Sequence, residues 1–397
     1  MFIGIDGNEA NQKIRAGSGV YAYNILWEIF NQSQKLKVKS QKDNLKFKIY
    51  LKERPLVDLP PATSFWQYQV VKPKQFWTQL GAPLRLWREK LFYGSPDIFF
   101  TPAHYAPRFC PIPVIITIYD LSFIRYPEMF IKKDLYQLKR WTSYSVKQAK
   151  KIITISEFSR REILNHYSLS ADKVAVCYPG YGKERFNFRI KNQESRIKKI
   201  RQKLKIEGEY LLFVGTIQPR KNLARLIEAF GRLKTSTPDL KLLICGMMKE
   251  GRGGWMQEEI LRKIRNSKCE IQNNTIITGY VYDSDLPYLL ADAKAFVLPS
   301  LYEGFGIPAL EAMAAGVPVV VSKTSSLPEV CKDAAIYIED PYSVDSIVFA
   351  VNRVLALNRK ERENLIKLGL SQAKKFSWDK TGEKILQIFL EFGNKYI

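Results

Sequence analysis

The chain is poor in the side chains that bind metals or form disulfide bonds. Its 397 residues include 5 cysteines and 2 histidines. The cysteines are scattered, odd in number and never spaced as C-x-x-C, which favours small buried thiols in a reducing compartment. His104 and His166 alone would give a zinc site almost no ligands. We therefore predict no bound metal. As a separate expectation, we predict no resident cofactor.

Long apolar runs are also missing. The longest, such as Ala312–Val321, are interrupted by Gly and Pro, and they fall well short of the roughly 20 residues that a membrane-spanning helix needs. Met1–Asp6 has the pattern of a buried strand ending in an acid, and not that of a leader with a basic start and an apolar centre. We expect a cytoplasmic protein; a location at the inner face of the membrane stays an alternative.

Acidic residues are few relative to basic ones. The chain has 62 Lys and Arg residues and 39 Asp and Glu residues, which gives a formal charge of +23. Residues 1–187 carry 29 basic and 15 acidic side chains (net +14), and residues 188–397 carry 33 and 24 (net +9). Such a charge favours nucleic acid, anionic lipid or phosphorylated substrates, although a lysine-rich composition alone would produce it. The basic residues are dispersed and form no recognisable nucleic-acid-binding module, so we expect no nucleic acid partner.

Short apolar runs alternate with amphipathic helical stretches, first over residues 1–187 and again over residues 209–377. Unbroken β-branched runs are typical of parallel strands buried on both faces, and the alternation implies right-handed crossovers. The predicted fold class is α/β, with two Rossmann-like, doubly wound domains joined by a charged linker at 188–208. Residues 378–397 are predicted to form a C-terminal helix that packs back on the first domain. The predicted strands are Phe2–Ile5, Phe47–Leu51, Asp97–Thr101, Val114–Ile118, Lys151–Ile155, Val174–Tyr178, Tyr210–Val214, Leu240–Cys245, Thr275–Thr278, Ala295–Leu298 and Pro318–Val321.

The most informative stretch runs from Pro299 to Pro318. It follows a predicted strand, at the sheet edge where open α/β folds bind ligands. Its loop contains Gly304 and Gly306, and a helix is expected from Pro308, where a missing N–H costs nothing. The backbone N–H groups at the start of that helix would form a seat for phosphate.

Two acids, Glu303 and Glu311, flank this predicted phosphate seat. Carboxylates repel phosphate but accept hydrogen bonds from vicinal hydroxyls. A ligand that combines phosphate with a polyol is a nucleotide sugar. The alternative is that Glu303 is a solvated loop acid and that Glu311 complements the helix dipole.

A second motif is the loop from Gly215 to Asn222. It begins with Gly215 and Thr216 after a predicted strand, carries adjacent Arg220 and Lys221, and ends at Asn222, expected as a helix N-cap. Two cations at this edge suit a diphosphate, although a solvated basic turn has the same composition.

Several weaker signals lie elsewhere. Thr278–Val281 ends a predicted strand, and its glycine would allow close approach of a nucleobase. Ala16–Gly19 resembles part of a dinucleotide fingerprint but lacks the third glycine. Ser156 is expected to cap a helix, and Asp120 lies at another carboxyl strand edge. Asp283-Ser-Asp285 has the spacing of metal-dependent sugar transferases, but we interpret it as a helix cap.

Aromatic and basic residues are interleaved in Lys72–Gly94. One interpretation is a membrane-surface or acceptor-lipid element, and the other is an ordinary helix with a basic outer face.

Together these motifs resemble glycosyltransferase family 4, whose members have the GT-B architecture of two Rossmann-like domains facing each other across a cleft. The resemblance extends over nearly the whole chain and is strongest over 210–330. Glu303 and Glu311 match the family's E-x7-E signature, and Gly215–Asn222 resembles its GT-x-x-PRKN loop. The branch most similar in these motifs contains bacterial mannosyltransferase-like enzymes that build O-antigen and other polysaccharides.

The resemblance implies a retaining, metal-independent hexosyltransferase. Its donor would be a GDP- or UDP-linked sugar, with GDP-mannose favoured, and its acceptor a glycan or polyprenyl-linked glycan, with peripheral contact to an anionic membrane as an alternative. Domain 1–187 would bind the acceptor and domain 209–377 the donor. Front-face substitution would proceed through an oxocarbenium-like ion pair, with the leaving diphosphate accepting the acceptor's proton.

The same resemblance implies a role for individual residues. Arg220 and Lys221 would hold the diphosphate, Glu303 the donor sugar, Glu311 the ribose, and Asp120 would lie near the reacting sugar. The implied catalytic residues are Arg220, Lys221, Glu303 and Asp120. The implied donor-binding residues are Gly17, Gly19, Tyr119, Gly215, Thr216, Arg220, Lys221, Gly279, Tyr280, Val281, Glu303, Gly304, Phe305, Gly306, Ile307 and Glu311.

The chain departs from the family pattern in two places. Tyr119 precedes Asp120 where the family usually has His, and Gln218 stands where the diphosphate loop often has an acid. The departure at Tyr119 keeps a non-catalytic relative open as an alternative. A sugar-nucleotide epimerase or a phosphorylase would share the fold, but we identify no lysine for pyridoxal phosphate.

Overall fold

A computed structural model describes residues 1–15, 17–39, 45–187, 193–246, 262, 264–266, 269–282 and 284–396. The chain divides into two compact units. The first unit comprises Met1–Ile124, Lys132–Gly180 and Ser377–Ile397, and the second comprises Arg125–Ile131 and Tyr181–Phe376.

The first unit is built on a seven-stranded parallel sheet. Its strands are β1 (Phe2–Asp6), β2 (Lys46–Leu51), β3 (Trp66–Val70), β4 (Ile98–Thr101), β5 (Val114–Thr117), β6 (Lys151–Thr154) and β7 (Val174–Val176). Their spatial order is β3-β2-β1-β4-β5-β6-β7. The order reverses direction between β1 and β4, and in doubly wound sheets such a switch point opens the crevice that binds ligands.

Helices connect these strands as crossovers. They are α1 (Ser18–Lys39), α2 (Ala82–Phe92), α3 (Ser122–Arg125), α4 (Lys132–Gln148) and α5 (Glu157–Tyr167). Ser156 caps α5, accepting a hydrogen bond from the Ser159 amide at 3.0 Å as predicted.

The second unit repeats this plan with six parallel strands. They are β8 (Tyr210–Val214), β9 (Lys241–Cys245), β10 (Thr275–Gly279), β11 (Ala295–Leu298), β12 (Val319–Ser322) and β13 (Ile336–Ile338), in the spatial order β10-β9-β8-β11-β12-β13. Its switch point lies between β8 and β11. The predicted fold class of two Rossmann-like parallel sheets is confirmed.

The remaining helices are α6 (Glu194–Leu204), α7 (Leu223–Leu233), α8 (Cys269–Asn274), α9 (Leu286–Asp292), α10 (Ile307–Ala314), α11 (Leu327–Cys331), α12 (Val344–Leu355), α13 (Arg359–Ala373) and α14 (Trp378–Tyr396). The last helix, α14, lies in the first unit and packs on α1. Gly382 permits this approach, because a Cβ there would stand 2.5 Å from the Cβ of Glu28.

Two expectations about element bounds need correction. The sequence predicts a linker at 188–208, but α6, within that segment, belongs to the second unit. There Arg201 of α6 pairs with Asp292 at 2.7 Å. Residues 188–192 lie outside the described residues. The strands β3 and β13 were not predicted. Both are sheet edges, and β3 alternates polar with apolar residues while β13 has three residues, so neither has the long apolar run of a central strand.

Candidate functional site

The carboxyl ends of β8 and β11 meet at the switch point of the second sheet. After β8 the chain forms a tight helical turn at Pro219–Lys221 and then enters α7. After β11 the chain passes through residues 299–306 and enters α10. The amide of Leu301 donates to the carbonyl of Arg220 at 2.7 Å, so the two loops are joined through their backbones.

A buried ion pair joins the same two loops. The Lys221 Nζ lies 2.6 Å from Glu303 Oε1, and both residues are buried. The Ser300 hydroxyl donates to the same oxygen at 2.6 Å. Arg220 Nη1 lies 3.4 Å from Glu303 Oε2 and donates to the Tyr302 carbonyl at 3.1 Å. Three residues that the sequence predicted for one site are therefore in contact.

The backbone of Glu303 is fixed as firmly as its side chain. Its amide donates to the Ser325 hydroxyl at 2.9 Å, and its carbonyl accepts from the Ser326 hydroxyl at 2.9 Å. The sequence motifs did not include Ser325 and Ser326, because hydroxyls 22 and 23 residues away in sequence leave no local pattern. Ser300 lies within the Pro299–Pro318 stretch but was not among the predicted site residues.

Glu303 is ionised in this environment. Burial alone would raise the pKa of its carboxyl group, but the charges of Lys221 and Arg220 and the hydrogen bonds from Lys221 and Ser300 outweigh burial and hold the pKa below its ordinary value of 4.5. Among the described residues, Oε1 accepts two short hydrogen bonds, whereas Oε2 has the single longer contact with Arg220. Oε2 can therefore accept a further hydrogen bond from a hydroxyl group.

The Asn222 side chain acts differently from its predicted role. Asn222 occupies the N-cap position of α7 but makes no side-chain cap. Its amide nitrogen instead donates to the carbonyls of Pro299 and Pro341 at 3.0 and 2.6 Å. Its left-handed backbone (φ 59°) turns the side chain toward those strand ends, so the residue joins three loops.

The start of α10 has the geometry expected of an anion seat. The helix begins at Ile307, which makes Pro308 its second residue. Gly306 precedes it with φ +98°, and a Cβ there would lie 2.7 Å from Leu327 Cδ2, so only glycine fits. Gly304 and Phe305 are buried beside it, and Glu311 is half-buried one turn into the helix. The partial positive charge of the helix N-terminus lies close in sequence to Glu303.

The predicted nucleobase contact lies at the end of β10. Gly279 has φ +68° and open space where a Cβ would stand. Tyr280 and Tyr282 follow, with rings 5.8 Å apart and partly exposed, and Val281 lies between them. Gly215 and Thr216, at the end of β8, are half-buried.

The short segment Arg125–Ile131 adds a residue that the motifs missed. Tyr126 stacks edge-on against Tyr302 at 6.0 Å, and its hydroxyl lies 3.4 Å from the Leu301 carbonyl. Burial, together with the hydrogen bond between its hydroxyl and that of Tyr342, raises its pKa to about 12. This phenol therefore packs on the loop that carries Glu303.

The first unit gathers its own polar groups at the carboxyl edge of its sheet. The Tyr119 amide donates to His104 Nε2 at 3.2 Å, which leaves the proton of a neutral imidazole on Nδ1. Burial lowers the pKa of His104 against the opposing charge of Asp120. His104 was not among the predicted site residues; its position after β4, at the switch point, is the signal that could have indicated it.

The Tyr119 phenol points into the first unit. Its hydroxyl donates to the Pro102 carbonyl, with the Ser18 carbonyl 3.5 Å away, and its ring packs edge-on against Tyr21 at 5.2 Å.

The other predicted site residues of the first unit also make local contacts. Asp120 accepts from the Ser122 amide at 2.8 Å. Ser18 lies between Gly17 and Gly19 and donates to Glu9 at 2.9 Å. Donor binding by these first-unit residues stays a prediction.

The comparisons with known proteins agree on one family. Residues 196–372 match the model for glycosyl transferases group 1, and residues 52–185 match the model for glycosyltransferase family 4. The O-antigen chain mannosyltransferase B of Escherichia coli is 34% identical over 79% of this chain and 76% of its own length. The serotype-specific mannosyltransferase WbdA of Escherichia coli is 30% identical over 61% of this chain, which spans 29% of that relative.

Solved structures share the fold. The sucrose-phosphate synthase of Thermosynechococcus elongatus aligns over 99% of both chains with a TM-score of 0.75 and 15% identity. HepE of Anabaena, solved with UDP-glucose, aligns over 98% of this chain and 99% of its own with a TM-score of 0.71 and 16% identity.

We predict that Lys221→Met will destabilise the second unit by about 3–5 kcal/mol, because it leaves the Glu303 carboxylate buried without its nearest cation. Lys221→Met/Glu303→Gln should lose less than the sum of the two single variants, because no buried charge remains unpaired. Denaturant unfolding of the wild type, the two single variants and the double variant measures these losses of stability. Additive losses would show that the pair does not act as a unit.

The ion pair should also appear in the acid dependence of stability. Because the folded-state pKa of Glu303 is depressed, its contribution is complete above the ordinary value of 4.5 and is lost as pH falls through the lower folded value. The stability difference between wild type and Glu303→Gln should therefore shrink over that window.

For Tyr119→Phe we predict a stability loss of about 1 kcal/mol, the typical value of one hydrogen bond, and turnover within a few-fold of wild type. The hydroxyl is directed at backbone carbonyls, and the ring is retained. Tyr23→Phe, whose hydroxyl donates to Asp58 at the surface, is the matched control. A large loss of turnover without loss of stability would mean that the Tyr119 hydroxyl contacts substrate.

Proposed function

The chain belongs to glycosyltransferase family 4, and from that membership we propose that it transfers a hexosyl unit, with mannose favoured, from a nucleotide sugar to a glycan or polyprenyl-linked acceptor. Its relatives include the O-antigen chain mannosyltransferase B and the serotype-specific mannosyltransferase WbdA of Escherichia coli, which supports a role in polysaccharide biosynthesis. A polyprenyl-linked acceptor would bring the reaction to the cytoplasmic face of the membrane.

The cluster of Lys221, Glu303, Ser300 and Arg220 carries the proposal. It lies at the switch point of a Rossmann-like sheet, beside the N-terminus of α10. Cations and a helix N-terminus favour a diphosphate. The ionised Glu303 carboxylate, whose Oε2 makes only one long contact among the described residues, favours a sugar hydroxyl. A nucleotide sugar meets both preferences.

The two cations have separate roles in this proposal. Lys221 is compensated by Glu303 at 2.6 Å, whereas Arg220 keeps about a fifth of its side chain exposed and contacts Glu303 at 3.4 Å. Arg220 is therefore the group that would neutralise the departing diphosphate. Lys221 would hold the Glu303 carboxylate in the geometry that receives the sugar. Gly279–Val281 would contact the base, and Glu311 the ribose.

We propose a retaining reaction without a metal ion. The sugar–phosphate bond breaks first, leaving an oxocarbenium-like sugar and a nucleoside diphosphate whose charge Arg220 and the α10 N-terminus stabilise. The acceptor oxygen then attacks the same face, and its proton passes to the leaving phosphate oxygen. In this proposal, protein groups supply the positive charge that stabilises the leaving diphosphate, whereas a metal ion supplies it in other sugar transferases.

Thermal unfolding with UDP and with GDP should separate the two donor classes. The bound nucleotide at about 100 times its dissociation constant should stabilise the protein by about 2.7 kcal/mol. Arg220→Ala should reduce the shift, while Arg353→Ala, an exposed arginine of the same unit, should retain it. Absence of a shift with either nucleotide at millimolar concentration would remove the donor assignment.

In transfer assays with the donor so identified, Arg220→Ala should lower turnover by about 10²-fold or more, by analogy with the loss of one charge-stabilising donor. Turnover should persist in excess chelator, and NMR should find the product with the anomeric configuration of the donor. An inverted product would refute retention and leave the transferase assignment intact.

A further inference from the structure

Helix α2 and the turn before it are apolar on two opposite faces. The inner face places Trp77, Ala82 and Leu86 in a core cluster with Tyr50, Val71, Phe99 and Ile112. The outer face carries Phe76, Leu80, Leu84, Trp87 and Leu91, spaced by 4, 4, 3 and 4 residues, with exposed fractions between 43% and 68%. An amphipathic surface helix needs only the inner face, so the outer stripe requires another explanation.

The stripe continues onto a neighbouring loop. Trp87 Nε1 donates to the Phe109 carbonyl at 2.8 Å, and the Phe109 amide donates to the Tyr144 hydroxyl at 2.9 Å. Phe109 itself is 77% exposed. At the far end of α2, Phe92 and Tyr93 are also exposed, with their rings 6.3 Å apart. We name the set of Phe76, Leu80, Leu84, Trp87, Leu91, Phe92, Tyr93 and Phe109 the α2 surface.

Two residues of the α2 surface have unfavourable backbone conformations. Phe76 has φ 53° and Phe109 has φ 48°, values that bulky non-glycine residues rarely adopt. Burial of the rings does not offset this backbone strain, because both rings are exposed. Local strain that holds a side chain out in solvent is typical of residues that act on a partner.

The charges around the α2 surface select the kind of partner. Residues 72–93 contain five basic side chains and one acidic one. The acid, Glu89, is fully buried and bound by Lys48, Arg85 and the Tyr50 hydroxyl. The exposed charged residues of the segment are therefore all positive: Lys72, Lys74, Arg88 and Lys90. Lys74 pairs with Glu53, an acid outside the segment, at 2.7 Å. On the adjoining loop, Arg108 adds a further cation, 4.3 Å from the Tyr144 ring.

We propose that the α2 surface binds the anionic surface of a lipid bilayer, with its aromatic and aliphatic side chains in the headgroup region and its cations against lipid phosphates. A basic helix with Trp, Phe and Leu on its outer side is suited to lie in that interface. A second copy of the chain would bring like charges together, which disfavours self-association through this surface. The proposal rests on this surface alone, and its failure would leave the proposed transferase intact.

The helix lies on the membrane in this proposal. None of the helices in the described parts of the chain is long and apolar enough to cross a bilayer. Binding should therefore be reversible and should weaken as salt screens the lipid charges.

Flotation of the 397-residue chain with vesicles tests the proposal. It should bind vesicles of phosphatidylglycerol and phosphatidylcholine at low salt, and bind pure phosphatidylcholine at least tenfold more weakly. Leu84→Gln/Leu91→Gln/Phe92→Gln should reduce anionic binding at least tenfold, and so should Arg88→Glu/Lys90→Glu. All five positions are exposed, so circular dichroism and unfolding temperature should match wild type.

Matched controls lie in the second unit. Arg353→Glu/Lys360→Glu makes the same change of charge at exposed positions, and Phe349→Gln removes an exposed phenylalanine; both should bind anionic vesicles as wild type does. Absence of vesicle binding at low salt, or equal losses in test and control variants, would overturn the proposal. So would a concentration-dependent dimer that the α2 variants abolish without any change in vesicle binding.

Discussion

The buried contact between Lys221 and Glu303 is the interaction on which the second unit's site depends. It joins the loop after β8 to the loop after β11, at 2.6 Å and shielded from water. Two charges removed from water gain little net stability from each other. Their value lies in specificity: a buried carboxylate tolerates few positions for its cation and its hydrogen-bond donors, so Ser300, Arg220 and the backbone of both loops are fixed with it.

Much of this arrangement follows from chain order. Parallel strands bring their carboxyl ends to one edge, and the order β10-β9-β8-β11-β12-β13 places the two loops side by side. The central strands could be predicted because burial on both faces requires an unbroken apolar run. The edge strand β3 could not, since polar residues alternate with apolar ones along it. The edge strand β13 was missed, although β7, an edge strand that also has three residues, was predicted. Arg220, Lys221 and Glu303 were predictable as a group for the same topological reason.

What the sequence could not provide is the direction of individual side chains. Asn222 at a helix start predicts a cap, yet its amide bonds carbonyls 77 and 119 residues away. The Tyr119 hydroxyl is directed at the Pro102 carbonyl, which the local sequence does not indicate, while its donor contact stays a prediction. Tyr126 and His104 gave no motif at all. In each case the partner is distant in sequence, and local pattern carries information only about near neighbours and about which face is buried.

The geometry also distinguishes the two oxygens of Glu303. Oε1 already accepts hydrogen bonds from Lys221 and Ser300 at 2.6 Å each, so a ligand hydroxyl would have to displace one of them. Among the described residues, Oε2 contacts only Arg220, at 3.4 Å. A hydroxyl bound at Oε2 would therefore lie beside the guanidinium that is available to a phosphate. Oε2 would then bind a sugar hydroxyl, and Arg220 would bind the adjacent diphosphate. Only a ligand in which the sugar is bonded to the diphosphate, as in a nucleotide sugar, would make both contacts at once.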